Sequence, residues 1–150
     1  MTAFTNVVYP AVLLAMVAVL AAGAVAYVAA TRAARTDNPV RFARLLTVAT
    51  WVARSATGLE IVAIGALLGA GVTHPPMVML IGYLVAAVAV LGLLGISRLG
   101  APSASAESRD PNQPVLSPRQ MVQADGAAAM IVGVALAVVA WRLNTIVLAG

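Results

Sequence analysis

The chain has no cysteine and no lysine, one histidine and five acidic residues in 150. Each shortage excludes chemistry. Without cysteine there is no disulfide framework and no thiolate nucleophile. One histidine with no cysteine beside it does not make a zinc site, nor does it supply both axial ligands of a bis-histidine haem. No metal and no cofactor is therefore expected. The acids are too few, and too far from any nucleophile, for acid–base or covalent catalysis, so the expectation is a protein that is not an enzyme. Charge as a whole is scarce: 9% of residues, against about a quarter in a soluble domain.

What is present is apolar. Hydrophobic residues make up 62% of the chain, and the mean hydropathy is +0.99. Water is not the main solvent of such a sequence. All nine basic residues are arginine, which together with abundant alanine, valine and glycine points to a GC-rich bacterial genome and to a multi-pass protein of the bacterial inner (cell) membrane. The sequence pI of about 10.7 would hint at nucleic acid in a soluble protein. Here the arginines stand at the ends of apolar runs, where membrane topology explains them, and no aromatic residues are interleaved with them to stack bases. Nucleic acid is not an expected partner; membrane lipids are.

Four spans are expected in one membrane domain, at about 7–30, 44–71, 77–96 and 121–142, each close to the ~20 residues that cross a hydrocarbon core. Residues 1–6 read as a short tail. The first span carries Ala11, Ala15, Ala18, Ala22, Ala26 and Ala29 at steps of three and four, a flat face that lets another backbone come close. Asn38-Pro39 is a turn signal before the second segment. That segment has two readings: one long tilted helix over 40–71, or an interfacial stretch over 40–56 followed by a short span. The long helix is favoured because no glycine or proline interrupts it before Gly58. Residues 71–76 form a tight connection, and Pro75 and Pro76 suit the start of the third helix. Residues 99–116 are small, polar and rich in proline and serine, which reads as a disordered loop. Ser117, Pro118 and Gln120 have the spacing of a capping box with proline at the first helical position.

Orientation follows from the arginines. With the N-terminus outside, the inner connections hold Arg32, Arg35, Arg41, Arg44, Arg98, Arg109 and Arg119, and the outer side holds only Arg142. The positive-inside rule then places both termini outside and the loop 99–116 in the cytoplasm. No internal repeat is apparent, so an inverted-repeat transporter in one chain is not supported.

Three residues are candidates for intramembrane chemistry. Glu60 lies about 18 Å from an outer boundary near Val72, close to the midplane, where an acid is protonated, paired or exposed to water. It reads either as a proton or cation site, or a ligand for a quinone or lipid headgroup, or as a polar clasp between helices. Arg54 is six residues earlier and some 120° round the helix, so no direct bridge to Glu60 is expected; it reads as a snorkelling residue or as a ligand for an anionic headgroup. Asp125 pairs with Arg54 or Arg98, or is an interfacial acid near a helix start. His74 in the outer turn reads as inert, and Trp51, Tyr83 and Trp141 as belt or packing aromatics. Ala15, Ala22, Gly65, Gly69 and Gly133 are the candidate helix-packing positions, Gly65 and Gly69 forming a GxxxG.

The late segment DGAAAMIVGVALAVVAWRLNTIV, residues 125–147, resembles the small alanine- and arginine-rich four-helix integral membrane proteins of high-GC Gram-positive bacteria, many of them uncharacterised. In size and style the chain is also similar to accessory subunits of respiratory cytochrome supercomplexes. The resemblance is one of type and implies no functional residue. The expectation is an all-α membrane protein packed through alanine and glycine faces. It would serve as a non-catalytic accessory or assembly subunit of a larger complex, respiratory by this resemblance, with other membrane subunits or further copies of itself as partners. The alternative is a small oligomeric proton- or ion-coupled transporter or channel using Glu60.

Overall fold

A computed structural model describes residues 2–32, 39–94 and 117–149. Every regular element among them is helical. A π-helical turn, Phe4–Val8, leads into α1, Tyr9–Arg32; α2 is Pro39–Gly69, α3 is Met77–Leu91 and α4 is Pro118–Ala149. Three of these helical stretches, Phe4–Thr31, Val40–Gly69 and Pro118–Ala149, are long and apolar enough to cross a membrane. The outer faces carry valine, leucine and methionine throughout, as lipid-facing surfaces do. The expected loop 99–116, Arg35, Arg98 and Arg109 lie outside the described residues.

The helix at the N-terminus begins earlier than the expected tail 1–6 allows. Phe4 is buried in the core, so the segment docks rather than trailing free. The π turn has a local cause. Pro10 has no N–H, and its ring would crowd the carbonyl four residues back. The Tyr9 N–H bonds instead to the Phe4 carbonyl, five residues back, which widens the turn ahead of the proline.

The second segment is one unbroken helix of 31 residues, about 46 Å long. It ends in a Schellman motif: Val72 N–H donates to the Leu67 carbonyl at 3.1 Å and Gly71 N–H to that of Leu68 at 3.0 Å. Gly71 takes φ +65°, the left-handed conformation that glycine adopts without a Cβ penalty. The third helix is shorter than the expected 77–96. Its α-helical part has 15 residues, about 22 Å. After Leu91 the hydrogen bonds tighten to a spacing of three, with Gly92 N–H to Ala89, Leu93 N–H to Val90 and Leu94 N–H to Leu91 at 3.0–3.2 Å. Gly92 sits at this transition, where glycine weakens the helical turn. The start of α4 has the reciprocal capping box: Ser117 N–H donates to Gln120 Oε1 at 2.8 Å, and Gln120 N–H to Ser117 Oγ at 3.3 Å.

The core of the bundle is the α1–α4 pair, its most extensive interface; α2 packs on both, and α3 lies mainly against α4. The two central helices are antiparallel. Gly23 faces Gly126, Met16 and Leu20 face Gly133, and the Arg119 side chain reaches the carbonyls of Ala30 and Thr31. The buried stripe of α1 is Val12, Met16, Val19, Gly23, Ala26 and Ala30. The alanine stripe of the sequence is offset from it by one residue, about 100°. Ala15 and Ala22 are accordingly half-buried at its flank, and Ala11 and Ala18 are exposed. The two backbones approach closely at Gly23, Gly126 and Gly133.

Candidate intramembrane polar site

The inward face of α2 is Leu46, Ala49, Ala53, Thr57, Glu60 and Ile64, steps of three and four that keep one side of a 3.6-residue helix turned to the core. The helix therefore carries Glu60 into the bundle interior, 4% exposed, with Thr57 one turn before it at 2%. Glu60 is nine residues from the last residue of α2, about 13 Å along the axis. Oε1 of Glu60 and Oγ1 of Thr57 are both buried without a hydrogen-bond partner.

The threonines show how unusual this is. Thr31, Thr47, Thr50 and Thr145 each donate to a carbonyl three or four residues back, at 2.8–2.9 Å. That bond satisfies a hydroxyl within its own helix. Thr57 makes no such bond. The polar stripe of Thr47, Thr50, Arg54 and Thr57 visible in the sequence thus divides into self-satisfied threonines, an outward arginine and one unsatisfied inward hydroxyl.

Arg54 is exposed on the far side of α2, its guanidinium 6.0 Å from the centre of the Trp51 ring, at the outer limit of a cation–π contact. It does not join Glu60. Asp125 is half-buried beside Gly126, near the end of the bundle where α2 and α4 both begin. Counted along those two helices, it stands about 20 Å from Glu60, so the two acids are not brought together. His74 is exposed, and no group of three or more potential metal ligands occurs among the described residues. Gly133 lies in the α1–α4 contact, whereas Gly65 and Gly69 are exposed, with no atom within 4 Å of where a Cβ would stand.

Some buried groups were not singled out from the sequence. Thr73 is buried in the turn between α2 and α3 and donates its hydroxyl to the Val147 carbonyl at 2.8 Å. Asn144 is buried on α4, its Oδ1 unpartnered. Only their interruption of apolar runs could have flagged them. An open groove of about 350 Å³ runs along α1 and α4 past Met16, Leu20, Gly133, Ala137 and Trp141; neither Glu60 nor Thr57 lines it. No family model matches the chain, and neither the curated proteins nor the solved structures yield a match.

Proposed function

We propose that this chain is a non-catalytic accessory or assembly subunit of a larger complex in the bacterial inner membrane, crossing it four times with both termini outside. The observation that carries the reading is the outward seam of α2. Ser55, Gly58, Val62, Gly65 and Gly69 are all exposed at steps of three and four. A Cβ at any of the three glycines would meet nothing within 4 Å. Glycine inside a helix costs about 1 kcal/mol relative to alanine and offers lipid chains little to contact. Between helices in a membrane, small residues permit the close backbone approach that drives association. The same device works inside the chain, where Gly23, Gly126 and Gly133 hold α1 against α4. The α2 seam is likewise rich in glycine, and none of the described helices packs upon it. A helix of another membrane subunit is the occupant this surface fits.

Purification in a mild detergent or in native lipid discs tests the reading. The expected result is a co-purifying membrane complex that is lost in Gly65→Leu and Gly69→Leu, while the isolated bundle unfolds as before. A monodisperse single chain, or a complex indifferent to both substitutions, would refute it.

A further inference from the structure

Glu60 was open to several readings, and its surroundings remove most of them. A clasp between helices requires a partner for the carboxyl oxygen, and Oε1 has none. A quinone or lipid headgroup requires access, and the side chain is 4% exposed. A bound metal cation requires about six oxygen ligands for a hard ion, and the described residues hold three buried side-chain oxygens without a partner, on Thr57, Glu60 and Asn144. A proton requires one.

We propose that Glu60 and Thr57 form a proton-binding site in the interior of the bundle. The proton resides on a carboxyl oxygen of Glu60 and exchanges with water; the Thr57 hydroxyl, one turn away on the same face, receives the acid's hydrogen bond or donates to the carboxylate when the proton has left. Residues three apart on a helix bring their Cβ atoms to about 5–6 Å, so side-chain rotation alone joins the two groups. The hydroxyl is free for this because it is not committed to its own helix, unlike Thr47 and Thr50 earlier on α2.

The environment isolates the pair. The hydrophobic core includes Val12, Met16 and Val19 of α1, Leu80 of α3, and Leu136 and Leu143 of α4, and the other buried polar side chains among the described residues are Thr73 and Asn144. None is ionisable. Glu60 is the single ionisable residue among the described buried side chains. An ionised carboxyl without a counter-charge is costly in such surroundings, and the neutral acid is the form the site holds. The site does not depend on the docking of a partner to α2, whose seam faces the opposite way.

Infrared spectroscopy of the full chain in lipid bilayers tests this, with glutamate labelled at the carboxyl carbon to single out Glu60 and Glu107. The expected result is a neutral carboxylic-acid carbonyl band at neutral pH. It should be lost in Glu60→Gln, be retained in Glu60→Asp as an unlabelled acid band, and shift when water is replaced by heavy water. Thr57→Val should keep the band but move its position. Absence of a Glu60-dependent acid band overturns the proposal. So does a band that heavy water leaves unmoved, since that acid is sealed and serves structure alone. An unchanged band in Thr57→Val removes the hydroxyl from the site and overturns the paired form proposed here.

Discussion

Gly23 of α1 and Gly126 of α4 meet backbone to backbone. A Cβ added to Gly23 would lie 2.7 Å from the Gly126 carbonyl oxygen, and one added to Gly126 would lie 2.9 Å from that of Gly23. Both obstacles are main chain and cannot rotate aside. Gly133 repeats the arrangement two turns along α4, 3.0 Å from the backbone of Met16 and Leu20. The close approach of α1 and α4 at these positions thus depends on residues that contribute no side chain.

Gly23→Ala and Gly126→Ala should each destabilise the bundle by about 1–3 kcal/mol, the usual cost of forcing packed elements apart. Gly82→Ala on α3 is the control. Its Cβ would meet nothing within 4 Å, and alanine is the better helix former, so no loss of stability is expected. Reversible unfolding in mixed micelles reads the difference. Equal effects at positions 82 and 126 would contradict the close approach.

Thr73 makes a second testable contact. Its buried hydroxyl donates to the carbonyl of Val147, in the last turn of α4, where a carbonyl receives no hydrogen bond from a helical N–H. Thr73→Val keeps the shape and removes the donor. The expected cost is about 1–2 kcal/mol, that of leaving a buried carbonyl unpaired. Hydrogen exchange should rise locally at the 71–76 turn and the end of α4, and Thr73→Ser should restore protection.

The sequence made the long elements legible because composition and length determine them. An apolar run beyond twenty residues has few options other than a helix, and the Ser117–Gln120 spacing announced its own cap. The rotation of each helix was harder to read. In α1 almost every position is apolar, so periodicity does not distinguish the buried stripe of Val12 and Met16 from the alanine stripe beside it. In α2 the polar residues supply that distinction, and Glu60 and Arg54 are indeed on different sides. Gly23 was hidden because its role depends on Gly126, about a hundred residues away, and no local pattern links them. Hydropathy does not mark the end of the α-helical part of α3, because it continues past Leu91 while the hydrogen bonding changes.

Arg119 closes the opposite end of the bundle from Thr73. Its Nε donates to the Ala30 carbonyl and its Nη2 to that of Thr31 at 3.0 Å, capping the last turn of α1 from another helix. A cation there also faces the negative end of the α1 dipole. Arg119→Ala should cost about 1 kcal/mol, a modest figure because the guanidinium is partly hydrated. Arg119→Lys should recover only part of it, since an ammonium does not present the planar fork that reaches two carbonyls at once. Faster amide exchange at the end of α1, with α2 unaffected, is the expected signature.

The two clasps also bear on topology. Thr73 is held at the finish of α4 and Arg119 at the finish of α1, which is where α4 begins. The chain between 73 and 119 must therefore travel the length of the bundle, about 42 Å by the 28 residues of α4 that separate Arg119 from Val147. The 15 residues of α3 cover about half of that distance, which is compatible with the four crossings proposed above. On the proposed topology positions 74 and 105 are expected on opposite sides of the membrane, with position 105 on the arginine-rich, cytoplasmic side. In intact cells a membrane-impermeant thiol reagent should label His74→Cys and spare Ser105→Cys, which should react only after permeabilisation. The absence of native cysteine makes each label unambiguous. Labelling of both positions from outside would break the crossing, and labelling of position 105 alone would invert the orientation while leaving the bundle intact.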